Sequence, residues 1–320
     1  MDHIRQIVAS EFDAVNDLIV EQLESDVPLV ENIGHYIVEA GGKRLRPLLV
    51  LLSAACCHYR GREHIRLATV IEFIHTATLL HDDVVDISSL RRGRPTVNAT
   101  WGNAPSVLVG DFIYSRAFQL MVAIGDMDIM ANLSSTTNTI AAGEVLQLSK
   151  IGDATTTETQ YLEIIERKTA ILFASACRGA AQLAGMGNSE IQHFHDYGLN
   201  LGMAFQLIDD VLDYEGDPAT MGKNVGDDLA EGKLTLPLIH CLEHGRPEEQ
   251  ELITNAITTR SVTGLKDVVA AVAANGSLAY AREQVNAYSD KARAALQALP
   301  DNKYRDALAE LISLASDRNH

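Results

Sequence analysis

The sequence is poor in cysteine, aromatic residues and positive charge, and no uninterrupted apolar run reaches membrane-spanning length. Four cysteines stand among 320 residues, at Cys56, Cys57, Cys177 and Cys241. They fall mostly in apolar stretches, without the spacing of a metal site or a disulfide framework, and read as small buried hydrophobes. Aromatic residues are only 5% of the chain and no alternating apolar–polar run persists, so strand signals are missing. Lysine and arginine number 26 against 43 aspartates and glutamates, a formal charge of −17, which argues against a protein that tracks a nucleic-acid backbone by counterion release. The longest nearly apolar run, Leu48 to Cys57, is interrupted by Ser53 and is about half the roughly 20 residues that cross a bilayer, so no transmembrane span is expected. The opening residues, MDHIRQIVASEFDAV, lack the apolar core and cleavage site of a secretory signal, and the expected location is the cytoplasm.

What is present is apolar and helical. With 47% hydrophobic and 22% charged residues, the chain can bury a large core. Ala- and Leu-rich segments repeat at helical spacing and no linker divides them, so the expected fold is all-α, a single domain over residues 1–320. The spacing predicts helices over Asp13 to Glu24, Pro47 to Cys57, Arg66 to Leu80, Val107 to Ala123, Tyr161 to Leu183, Ile191 to Tyr214 and Leu265 to Ala274. Thr157 and Gln160 have capping-box spacing before the run YLEIIERKTAILF. One connector stands out: EGDPATMGKNVGDDLAEGKLT, residues 215–235, carries Gly216, Pro218, Gly222, Gly226 and Gly232 between two apolar stretches. Polar loops of that length in compact domains are usually functional or mobile.

The most informative feature is a near-duplication. HTATLLHDDVVD ends at Asp86 and LGMAFQLIDDVLD at Asp213, so DDxxD occurs twice, each time at the end of an apolar helical run. At i and i+4, Asp82 and Asp86 share one helix face, as do Asp209 and Asp213, with Asp83 and Asp210 beside them. Like charges at that spacing cost a helix a few tenths of a kcal/mol, and near its C-terminus they also oppose the macrodipole. A single such motif is more often a solvated face. Two copies call for something that offsets the repulsion, and Mg²⁺ does so while bridging carboxylates to phosphate oxygens. Basic clusters complete the pattern: Lys43, Arg44 and Arg46 in GGKRLRP, and RRGR at 91–94, directly after the first acidic motif. Arginine forks suit bidentate phosphate contacts and lysine acts as a compact charge. Together the clusters imply two bound anionic groups.

GGKRLRP, HDDVVDISSLRRGRPT, GEVLQL, ERKTA, FQLIDDVLD and GKNVGDDLAEGK occur in that order, and by them the chain resembles the trans-polyprenyl diphosphate synthases over nearly its whole length. The resemblance implies a helical bundle of the isoprenoid synthase type with a central active-site cavity. There an allylic diphosphate such as farnesyl diphosphate ionises, the double bond of isopentenyl diphosphate attacks the cation, and a proton is lost. It implies two or three Mg²⁺ ions, with Asp82, Asp86 and Asp209 as direct ligands and Asp83, Asp210 and Asp213 supporting them. Lys43, Arg46, His75 and Arg92 match the positions that hold isopentenyl diphosphate, while Arg91, Lys168 and Lys223 match those facing the allylic diphosphate. His75 precedes Asp82 by about two helical turns and so shares its face. Lys168, Thr169 and Gln206 fall where the family lines the path of the cation with dipoles. The 215–235 connector becomes a candidate lid that brings Lys223 and Lys233 to phosphate and Asp227 or Asp228 near metal. Leu234 departs from the family pattern, which often has proline there, and implies altered loop stiffness.

Ala77 and Thr78 stand at the fifth and fourth positions before Asp82, where short-chain members of the family carry bulky groups, so the tunnel for the growing chain is expected to stay open. Met121 and Phe118 are candidates for its floor. The resemblance implies an all-trans product of about eight isoprene units, serving as a respiratory quinone side chain, with transient membrane contact at release. It also implies a homodimer. A shorter- or longer-chain synthase, a class I terpene cyclase and a non-catalytic partner subunit are the competing readings. The second DDxxD and GGKRLRP disfavour the cyclase. The six intact aspartates, with Lys43, Arg46, Lys168 and Lys223, disfavour the inactive subunit.

Overall fold

The computed structural model describes residues 1–91, 93–215, 226–261 and 263–316. Among these the fold is all-α, apart from a short antiparallel hairpin of Leu90–Arg91 against Arg94–Pro95. The expected helices are there and mostly longer: Glu63–Val85, Asn103–Ile124 and Asn188–Glu215 each extend the sequence-based range, and Leu265–Ala274 matches it. Further long helices run over Pro28–Glu39, Met127–Lys150, Pro247–Thr259, Ser277–Gln297 and Lys303–Ser316. Met127–Lys150 escapes a propensity reading because Ser, Thr and Asn crowd its middle. Those hydroxyls bond back onto the helix, Thr136 Oγ1 to the Asn132 carbonyl at 2.8 Å and Thr139 Oγ1 to that of Ser135 at 2.9 Å, so they no longer compete with it. Asp126 caps its start by accepting from the amides of Asp128 and Ile129.

Two acidic helices organise the core. The first, Glu63–Val85, buries Leu67, Val70, Ile71, Phe73, Ile74 and Ala77, and packs on Asn103–Ile124 and Leu45–Cys56. The second, Asn188–Glu215, runs through both apolar clusters of the molecule, with Phe194, Tyr197 and Leu201 in one and Leu207, Ile208 and Val211 in the other. Each such side chain contributes about 1.5–3 kcal/mol on full burial, so the frame that carries the aspartates is stiff. All four cysteines are free and buried, and burial pushes the Cys177 thiol up to about 12.

The stretch expected as one helix over Tyr161 to Leu183 is three pieces. Glu158–Ile165 opens with the capping box of Thr157 and Gln160, Glu166–Ala170 is a single π turn, and Ile171–Leu183 resumes the α-helix. Two glycines let neighbouring helices close on that π turn. A Cβ on Gly143 would lie 2.8 Å from Arg167 Cβ, and one on Gly202 would lie 2.6 Å from Ala170 Cα. Only glycine fits at such approaches, and π turns recur where a side chain has to be re-aimed at a functional site. The residues re-aimed here are Lys168 and Thr169.

Candidate active site

Both acidic helices meet the π turn close to their acidic motifs, through Asp82 on the first and Gly202 and Gln206 on the second. Lys168 Nζ lies 3.2 Å from Asp82 Oδ2, 2.6 Å from Glu144 Oε2 and 2.8 Å from Gln147 Oε1. Asp86 caps the first acidic helix, and Lys233 Nζ approaches it at 2.8 Å while holding Glu231 at 2.6 Å. Asp83 is buried and takes a fork from Arg91, with Nη2 at 2.6 Å and Nε at 3.0 Å from Oδ1. The three aspartates of the first motif thus have three different cationic partners.

The second motif is wired differently. Asp210 is buried and accepts from Tyr161 Oη at 2.5 Å and from Gln206 Nε2 at 2.7 Å, while Gln206 Oε1 accepts from Thr169 Oγ1 at 3.1 Å. The run Tyr161, Asp210, Gln206, Thr169 fixes which way the Gln206 amide faces. Asp213 is fully buried, and its Oδ2 receives the Asp228 amide at 3.4 Å while its carbonyl receives that of Gly226 at 3.0 Å. These bonds tie the end of the 215–235 connector to the second acidic helix. Asp209 is half-buried on the same turn.

The basic loop comes to the same face. Arg46 lies with its guanidinium 4.5 Å from the Phe173 ring centre and its Nη1 3.1 Å from His75 Nε2. Arg44 takes a left-handed backbone conformation and pairs with Glu72 at 3.8 Å, and Lys43 is exposed. Arg92, Lys223 and the connector over 216–225 lie outside the described residues. Ala77 and Met121 are fully buried in the first cluster, Thr78 Oγ1 donates to the His75 carbonyl at 2.8 Å, and Phe118 packs on Tyr114. Leu234 is buried in the second cluster, where it contributes packing.

Sequence reasoning missed Glu144, Gln147 and Tyr161. The first two are the polar positions of GEVLQL, one turn apart and on one face, and Tyr161 stands two turns before Lys168; their partners are visible only once the helices are packed.

Tyr161, Lys168, Thr169, Gln206, Asp210 and Lys233 line a cavity of about 110 Å³. Carboxylates crowd the cavity and its surroundings: burial, with Asp82 adding to it, pushes Glu144 up to about 7, and burial with Asp228 pushes Asp210 up to about 8. A surplus of hard oxygen donors is the chemistry that suits Mg²⁺. Among the described residues no three such groups converge on one point, and lysine ammoniums lie on Asp82 and Asp86.

Two aspartate-rich helix ends set around lysines in an all-α frame define a diphosphate-handling prenyltransferase, and comparison with known proteins agrees. The polyprenyl synthetase family matches residues 27–274, and the chain belongs to that family. Octaprenyl diphosphate synthase of Escherichia coli (strain K12) is 49% identical over 100% of this chain and 99% of its own length. The all-trans-nonaprenyl-diphosphate synthase (geranyl-diphosphate specific) of Rhodobacter capsulatus is 46% identical over 97% of this chain and 96% of its own. A crystal structure of polyprenyl synthase from Caulobacter crescentus CB15, complexed with calcium and isoprenyl diphosphate, has a TM-score of 0.96 at 43% identity, covering 100% of this chain and 98% of that one.

Proposed function

We propose that the chain, acting as one domain, extends an allylic diphosphate such as farnesyl diphosphate with isopentenyl diphosphate to an all-trans product of about eight isoprene units, the length that the Escherichia coli relative is named for. The observation that carries this reading is the π turn, which sets Lys168 against Asp82 and Thr169 against Gln206 at the junction of both DDxxD helices. The Caulobacter crescentus relative is complexed with calcium and isoprenyl diphosphate, which supports a metal- and diphosphate-binding role for this fold.

Asp82, Asp86 and Asp209 would hold two or three Mg²⁺ ions, with Asp83, Asp210 and Asp213 fixing the ligands in place. Bound there, Mg²⁺ supplies charge to the departing diphosphate. Lys168, Arg91 and Lys223 hold the allylic diphosphate. Lys43, Arg46, His75 and Arg92 hold isopentenyl diphosphate; the Arg46–His75 bond keeps both aimed together. The Thr169 oxygen and the oriented Gln206 amide present dipoles to the allylic cation without attacking it. Tyr161, Ile164 and Ile165 wall the cavity and exclude water, which would otherwise trap the cation as an alcohol. The released diphosphate takes the proton.

The product tail runs past Ala77 and Thr78, with Met121 at depth, and serves as a respiratory quinone side chain. Val107, Leu108 and Val122 on Asn103–Ile124, and Met127, Val145 and Leu148 on Met127–Lys150, are exposed, and these two helices supply the surface on which two copies pair as a homodimer. Asn103–Ile124 is also long and apolar enough to cross a membrane by length and composition. Its burial of Val109, Ile113, Ala117, Leu120 and Met121 supports the dimer reading, in a cytoplasmic enzyme that touches membrane only at product release.

The test is incubation with farnesyl diphosphate, labelled isopentenyl diphosphate and Mg²⁺, with an EDTA control, resolving products by length. A metal-dependent ladder ending near the octaprenyl product is expected. No incorporation, or a cyclised hydrocarbon, would overturn the assignment.

A further inference from the structure

Away from the catalytic cavity, and sharing no lining residue with it, lies a larger cavity of about 270 Å³. It sits between three helices. Asp128, Asn132, Ser135 and Thr139 of Met127–Lys150 line one wall, at a spacing that keeps them on one helix face. Ser175, Arg178 and Gln182 of Ile171–Leu183 line the opposite wall at i, i+3 and i+7, and His195 closes one end.

The second wall holds polar atoms without a partner. Ser175 is 1% exposed and its Oγ is buried and unbonded; the same holds for Arg178 Nε and Gln182 Oε1. Buried polar atoms are rarely left so, and an unsatisfied one is destabilising until a partner meets it. Among the described residues no carboxylate is paired with Arg178. The nearby acids are already engaged or at the rim: Asp196 lies 3.2 Å from His195 Nδ1, and Asp128 is exposed with its carbonyl receiving Gln182 Nε2 at 3.5 Å. Asn132 Nδ2 is committed to the Ser175 carbonyl at 3.3 Å.

We propose that this cavity is a binding site for a small oxyanion, a phosphate or carboxylate group, held by the Arg178 guanidinium and the Ser175 hydroxyl with Gln182 accepting from a ligand hydroxyl. An unpaired guanidinium in a polar pocket is the residue that recognises such groups by a fork of parallel bonds. The site is independent of product length and of the metal ligands, so its failure and that of the prenyl-transfer reading are separable.

The test compares the full-length protein with Arg178→Gln and Ser175→Ala, whose basal turnover is expected to match the parent. Inorganic phosphate and, separately, succinate are titrated at constant ionic strength while the melting temperature is followed. The catalytic basic groups are the same in all three proteins, so the difference between them reads this cavity alone. Phosphate or succinate is expected to stabilise the parent by about 3 °C or more at saturation and the variants by much less; the anion that does so identifies the source. Crystals soaked in selenate should show an anomalous peak beside Arg178, lost in Arg178→Gln. Equal shifts in all three proteins, or selenate at Arg46 and none at Arg178, would overturn the proposal.

Discussion

Lys233 Nζ lies 2.8 Å from Asp86 Oδ2, joining residues 147 positions apart. Both side chains are nearly buried, at 13% and 14% exposure, and Lys233 carries Glu231 as well. The bond fastens the end of the 215–235 connector to the first acidic helix. Lys233→Met leaves two carboxylates facing each other without their cation, the costly way to break such a pair. A stability loss of about 1–3 kcal/mol is expected, together with lower turnover; denaturant unfolding and steady-state kinetics on one preparation check both.

Asp82→Ala removes a carboxylate from the proposed metal site and frees Lys168 to rest on Glu144 and Gln147. Turnover is expected to fall by a factor of about 10² to 10³, the equivalent of roughly 3–4 kcal/mol of charge stabilisation, with helicity and melting temperature nearly unchanged. Activity at the parent level would remove the metal-site argument.

Tyr161→Phe deletes the donor to buried Asp210 while keeping the ring. Among the described residues the carboxylate then has Gln206 as its remaining side-chain donor, at a cost of about 1–3 kcal/mol. Because Gln206 is oriented through Asp210, kcat is expected to drop about tenfold with KM for isopentenyl diphosphate little changed. A merely structural phenol would lower the melting temperature and leave kcat intact.

Ala77→Phe places a ring where a fully buried methyl now stands. If the growing chain passes that face, the product distribution shifts to shorter prenyl diphosphates at similar initial rates; chromatography of the products reads this directly. An unchanged length would put the tunnel elsewhere.

The acidic motifs, the capping box at Thr157 and the helices with clean apolar stripes were legible in the chain because each is local. The DDxxD pairs need only helical spacing to become faces, and Leu265–Ala274 needs only its own periodicity. What was not legible depends on packing across long separations. Lys168 finds Glu144 only because Gly143 lets two helices close, and Tyr161 finds Asp210 from 49 positions away. Met127–Lys150 was hidden by its Ser and Thr residues, which favour turns until tertiary contacts hold the helix. The π turn left no trace at all in the hydrophobic pattern, since ERKTA reads as ordinary helix.

An α-helix repeats its face every 3.6 residues, so one surplus residue within a turn rotates everything after it by about 100° relative to everything before. Glu158–Ile165 and Ile171–Leu183 are therefore two rulers out of phase, joined where Lys168 and Thr169 sit. The phase of the first ruler answers to Asp210 through Tyr161, and that of the second to the apolar cluster through Leu172, Phe173 and Ala176. Chemistry and core can thus each keep their own register on one continuous rod, and the number of residues between Tyr161 and Phe173 becomes as constrained as their identity.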